Sequence, residues 1–118
     1  MSQSNSVIFK VLSADQWKTA EAQGEFHGAA IDLSDGYIHF STPEQVVETV
    51  QKHFAGQTDL LLIGVDPSKL GDDLRWEPSR RGALFPHLYS SLNLECVVSV
   101  DELKLGDDGR HILSLIHI

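Results

Sequence analysis

Two short segments hold most of the side chains able to do chemistry. The first is Gly36-Tyr37-Ile38-His39-Phe40-Ser41-Thr42. It reads as a short strand that delivers His39 just before a helix start. A helix N-terminus offers unpaired amides and a partial positive charge, so a histidine beside it can donate to a phosphate or a ribose hydroxyl. The plainer alternative is a half-buried strand histidine bonded to a backbone carbonyl. Capping alone accounts for Thr42. The second segment is Trp76-Glu77-Pro78-Ser79-Arg80-Arg81-Gly82-Ala83-Leu84-Phe85-Pro86-His87-Leu88-Tyr89. Arginines bind phosphate or carboxylate through a forked donor set. Trp76, Phe85 and Tyr89 offer flat surfaces for a base or a nicotinamide ring. His87 can act as acid or base. Pro78 and Pro86 stiffen the two sides of the loop. The alternative is an aromatic mini-core under a long loop with solvated arginines.

The surrounding elements follow from pattern and punctuation. Val7–Leu12 is apolar and partly β-branched, a first strand. Ser13 with Gln16 makes a capping box for a helix whose inner face is Trp17 and Ala20, ended by Gly24. Glu25–Asp35 shows no period and reads as a loop. Gly36–Ser41 alternates, which puts Ile38 and Phe40 on one face and Tyr37, His39 and Ser41 on the other. Thr42, Pro43 and Gln45 open a second helix with the stripe Val46, Val47, Val50 and Phe54, ended by Gly56. Leu60–Val65 is apolar on both faces, a central strand. Asp66-Pro67-Ser68 turns the chain through a short helical turn to Leu70. Leu74–Glu77 reads as a strand, Pro78–Ala83 as a loop, and Leu84–Tyr89 as polar and aromatic by turns at the edge of a strand. Leu94–Leu105 is a strand candidate, Asp107-Asp108-Gly109 a hairpin turn, and Arg110–Ile116 the returning strand. Helices early and strands late predict an α+β fold rather than a doubly wound parallel sheet.

Composition narrows the function classes. The chain has 118 residues, 42% of them hydrophobic, which suits one domain with one real core. We expect Met1–Ser6 to be disordered. That stretch has neither a basic start nor an apolar signal core, and no run is long enough to span a membrane, so cytoplasm is the expected location. Cys96 is alone and sits in an apolar run, a buried core thiol. A net charge of −8 disfavours a nucleic-acid backbone as partner. Three of the four arginines, however, are Arg75, Arg80 and Arg81. That local cationic spot suits a small anionic metabolite. No two histidines have the close spacing of a zinc site, and no metal is expected.

Asp35–Thr42, Gln45, His53-Phe54-Ala55-Gly56, Leu74-Arg75-Trp76-Glu77 and Leu84-Phe85-Pro86-His87-Leu88-Tyr89 together resemble a bacterial family, domain-of-unknown-function family 952. The resemblance covers nearly the whole chain and departs at Arg81 and Ser90, where the family has glycine. A more distant similarity joins the His-bearing strand, the apolar strand ending in Val65-Asp66, and Leu74–Gly82 to the RNA 2′-phosphotransferases of the ADP-ribosyltransferase superfamily. That resemblance implies a split, mostly antiparallel sheet with two early helices. It also implies an NAD cleft lined by His39 and Ser41, with Arg80 or Arg81 meeting a phosphate. Lys10 stands where that superfamily carries an early histidine.

The resulting expectation is a nucleotide or small-anion site between Gly36–Thr42 and Trp76–Tyr89, set as opposite walls of a cleft. Its catalytic set is His39, Glu77 and His87. Its ligand-binding set is Ser41, Thr42, Arg75, Trp76, Ser79, Arg80, Arg81, Phe85 and Tyr89. A non-catalytic module for a small anion is the second reading, and a metal-dependent enzyme using His39 and His87 the third.

Overall fold

The structure, a computed structural model, describes residues 7–79 and 82–112. Arg80 and Arg81, the expected tail Met1–Ser6 and most of the expected last strand lie outside the described residues.

Strand β1 (Ile8–Ser13) runs into helix α1 (Ala14–Gln23) through the capping box read from the sequence. Ser13 Oγ accepts from the Gln16 amide, and the Gln16 side chain accepts from the Ser13 amide. Gly24 ends the helix at φ 80°, a left-handed conformation that glycine adopts without cost.

The stretch read as a loop is in fact built. Glu25–Phe26 forms strand β2, and Ala30–Asp35 forms a short helix, α2. The missing period has a physical cause. Helix α2 is turned inside out, with Ile31 62% and Leu33 68% exposed while Asp32 is 2% exposed. The fold therefore has three helices among the described residues rather than two.

Ile38–His39 forms β3, and Pro43–His53 forms α3, capped by Thr42 and Gln45 as expected. Val46 and Val50 are buried, but Val47, one residue round the helix, is partly exposed. Leu60–Val65 is β4, followed by a 3₁₀ turn at Pro67–Lys69. Leu74–Pro78 and Leu84–Leu88 are β5 and β6, and Leu92–Asn93 is β7. The long strand expected at Leu94–Leu105 begins later. Leu94–Cys96 is a 3₁₀ turn, with Asn93 Oδ1 accepting the Glu95 amide, and Val97–Leu103 is β8. Among the described residues the hairpin turn near Gly109 closes on one bridge, between Leu105 and His111.

Strands β1, β4 and β8 form one antiparallel sheet in the order β1-β4-β8, and β3, β6 and β5 form a second in the order β3-β6-β5. Leu84–Leu88 is thus the middle strand of its sheet. The two sheets meet at a single bridge, where the Phe9 and Ser41 amides exchange bonds of 2.7 and 2.8 Å with each other's carbonyls.

Both faces of strands β1 and β4 are buried, while β8 leaves Val98 and Val100 exposed. Ile8, Leu12, Ile63 and Val65 join Ala20, Ile38, Phe40 and Leu88 in one core, while Phe9, Val11 and Leu62 pack under Val46 and Val50 of α3 in another. Cys96 belongs to the first core, as its apolar surroundings suggested. Among the described residues no helix is long and apolar enough to cross a membrane.

Candidate functional site

Alternation decides which side chains meet. In the second sheet His39 pairs with His87, and His87 with Arg75. Opposed residues share a face, and so do residues two apart. Tyr37, His39, Phe85, His87, Tyr89, Arg75 and Glu77 therefore lie on one face. Ile38, Phe40, Pro86 and Leu88 lie on the other and are buried. The apolar face anchors the sheet, which leaves the opposite face free to carry polar groups.

Asp32 is the hub of this polar face, though no local pattern points to it. Its carboxylate meets the Lys10 ammonium at 2.9 Å. It accepts from His39 Nδ1 at 2.6 Å, from the His39 amide at 3.1 Å and from the Ala29 amide at 2.7 Å. Burial pushes the acid's pKa upward. The His39 bond, the Lys10 charge and the Ala29 amide outweigh that push and hold it down to about 2. At the ammonium the balance reverses. Burial lowers the pKa of Lys10 even though Asp32 raises it. The other ring nitrogen of His39, Nε2, lies 2.9 Å from Asp35 Oδ2.

His87 is held by a second carboxylate. Its Nδ1 lies 2.7 Å from Glu77 Oε1, and the Tyr89 hydroxyl donates to the same oxygen at 2.7 Å. The His87 and Tyr89 bonds lower the Glu77 pKa, and the Glu77 bond raises that of Tyr89. An ionised carboxylate only accepts, so His87 donates from Nδ1. Tyr37 stacks on His87 with ring centres 4.1 Å apart and lies 4.7 Å from His39. The two imidazole centres are 5.5 Å apart. The Arg75 guanidinium sits 4.9 Å over the Tyr89 ring, a cation–π contact. Glu77 thus bonds to both His87 and Tyr89.

A cleft of about 680 Å³ opens beside this face. Its lining includes Lys10, Tyr37, His39, Ser41, Phe85 and His87, with Pro78 and Ser79 at one end and Thr49, Lys52 and His53 of α3 on the far side. The arrangement differs from the expected one. Gly36–Thr42 and Trp76–Tyr89 do not face each other across the cleft. Strands β3 and β6 are hydrogen-bonded neighbours, and the facing wall is α3.

At the α3 N-terminus Thr42 Oγ1 accepts the Gln45 amide, the Thr42 carbonyl accepts the Val46 amide and the Gln45 side chain accepts the Thr42 amide, while the cleft lining meets this helix at Glu48, Thr49, Lys52 and His53. Ser41 lines the cleft and shares a 3.0 Å hydroxyl contact with Thr49. Trp76 pairs with Pro86, which puts it on the opposite face from His87, 45% exposed. Arg75 and Tyr89 share the polar face but lie beyond the cleft lining. Arg80 and Arg81, outside the described residues, follow Ser79 directly.

Among the described residues no three His, Cys, Asp or Glu side chains are grouped to hold a metal ion. Both nitrogens of His39 and Nδ1 of His87 meet carboxylates. What the face can do is move protons. Each histidine is oriented by a carboxylate beside a cleft of small-molecule size, about 300–1,000 Å³ in general.

Fold and site together define a small α+β protein of two three-stranded antiparallel sheets and a short two-stranded one, with a carboxylate-anchored histidine pair on the β3-β6-β5 sheet. The chain belongs to the family described as Protein of unknown function (DUF952), whose profile matches residues 11–100. It is similar to protein CC0527 from Caulobacter crescentus. The crystal structure of CC0527 superposes with a TM-score of 0.88 at 48% identity, covering 92% of this chain and 95% of that one. The solution NMR structure of CC0527 gives a TM-score of 0.83 at 48% identity, covering 92% and 93%. No curated protein matches the chain.

Proposed function

We propose that the cleft binds NAD or a related nucleotide as substrate, in an ADP-ribosyltransferase-like transfer. The observation that carries this reading is the in-register pair of His39 and His87, each oriented by its own carboxylate beside a 680 Å³ cleft. The resemblance to the RNA 2′-phosphotransferases read from the sequence motivates it, and two antiparallel sheets joined at the Phe9–Ser41 bridge are in keeping with it. Tyr37 and Phe85 supply flat surface for a ring, and Lys52 and His39 supply donors for phosphate and ribose.

In this reaction the nicotinamide–ribose bond breaks with oxocarbenium character. Its electron pair leaves with neutral nicotinamide. The acceptor oxygen bonds to the ribose carbon and gives its proton to His87 Nε2, the nitrogen opposite the one bonded to Glu77. Glu77 acts through His87 and is a positioning residue. His39 holds the ribose or the adjoining phosphate, so the protein contributes placement and charge.

The test is calorimetry with NAD and ADP-ribose, followed by an assay for nicotinamide release. Binding that His39→Ala abolishes, and release that His87→Ala abolishes, are expected. No heat at millimolar NAD and ADP-ribose would sink the proposal. The second reading is a non-catalytic small-anion module. The observation favouring it is Lys10, buried against Asp32 where the superfamily has its early histidine. Ligand binding without nicotinamide release selects it.

A further inference from the structure

His39 is anchored at one end and open to rivalry at the other. Nδ1 is fixed to Asp32, which is itself buried and held by Lys10 and the Ala29 amide. The ring edge bearing Nε2 points away from that anchor, and the ring lines the cleft. What meets Nε2 is the Asp35 carboxylate, 42% exposed at its side chain, at 2.9 Å. Carboxylate oxygens accept, so each contact is a hydrogen bond when the His39 nitrogen facing it carries the proton.

Asp35 is poorly placed for any other purpose. It is the last residue of α2, whose final turn carries no basic residue, and a carboxylate there meets the negative end of the helix. Asp35 also faces Tyr37, whose pKa is raised first by burial, then by the charges of Asp35 and Glu77.

We propose that Asp35 is an internal stand-in for the ligand's anion. It occupies the place on His39 Nε2 that a phosphate or carboxylate oxygen takes when the cleft is filled, and it swings into solvent when displaced. This rests on the proposed reading of the cleft and adds to it. The site's anion contact is His39 Nε2, and affinity is tuned by a built-in competitor. Swapping one oxyanion for another at a fixed hydrogen-bond donor costs little, so the exchange is readily reversible. The competition is worth what a partly exposed ion pair is worth, up to about fivefold in affinity.

The experiment uses the full chain and inorganic pyrophosphate, measured by calorimetry, with ¹⁵N NMR of the His39 ring. Asp35→Asn and Asp35→Ala are expected to bind pyrophosphate about three- to fivefold more tightly than the native protein. His39→Gln is expected to lose the binding. In the native protein the His39 Nε2 signal is expected to move on adding pyrophosphate while Nδ1 stays. Equal or weaker binding by both Asp35 variants overturns the proposal. So does native affinity in His39→Gln, or no binding by any form. NAD inert against a protein that shows the pyrophosphate pattern rejects the nucleotide reading and leaves this one standing. NAD bound equally by native and Asp35 variants does the reverse.

Discussion

Asp32 shows how one side chain can carry a site that composition conceals. It sits between two exposed apolar residues, Ile31 and Leu33, and is nonetheless the buried member of α2. Removing its charge leaves the Lys10 ammonium buried without an anion, which costs far more than an exposed pair would. Asp32→Asn should therefore lower stability by about 3–5 kcal/mol in urea unfolding. A loss under 1 kcal/mol would show that Lys10 finds water in its place. The same carboxylate predicts an acid limb. Its pKa falls from 3.8 to about 2 on folding, so its contribution is present above the unfolded value and is lost as pH drops from about 4 through about 2. At 1.36 kcal/mol per pKa unit the contribution is about 2 kcal/mol. Unfolding free energy should decline across that window in the native protein, and the decline should be smaller in Asp32→Asn. Equal slopes would assign the acid sensitivity to other groups.

At the scale of elements, the strands with one buried face are the legible ones. Ile38 and Phe40 inside with His39 outside follows from a period of two, and the capped helices α1 and α3 follow from their boxes and glycines. Helix α2 was illegible because its apolar residues face out and its charge faces in. Strand β4 is tightly seated for a different reason. A β-carbon on Gly64 would collide with Ser99 Oγ and lie 3.0 Å from a Val7 methyl, beside the bulge between Gly64 and Val65. Gly64→Ala is expected to cost about 1–3 kcal/mol, the range of overpacked cores. Adding Ser99→Gly should recover part of that loss. A neutral Gly64→Ala would mean that Ser99 rotates away freely.

For the whole molecule, the decisive feature is how the two sheets join. One bridge, Phe9 to Ser41, connects them, and the cleft lining includes both residues. A ligand seated there should slow hydrogen exchange at the Phe9 and Ser41 amides. The Ile112 amide, bonded to the Lys104 carbonyl and outside the cleft lining, should keep its rate. Equal slowing at all three sites would indicate global stabilisation by binding elsewhere.

The sequence by itself determined the α+β class, both capping boxes, the central strand Leu60–Val65 and the faces of Ile38–Phe40. These depend on neighbours a few residues apart, where side-chain period and end-capping act directly. It also drew attention to His39 and His87 as residues able to do chemistry. The tertiary structure alone decided that these histidines are neighbours on paired strands, that α3 forms the wall opposite them, and that Trp76 faces away. It alone brought Asp32 to Lys10 and Glu77 to His87, across 22 and 10 positions of chain. Such pairings follow from strand register and from which faces must be buried, and no local pattern encodes either.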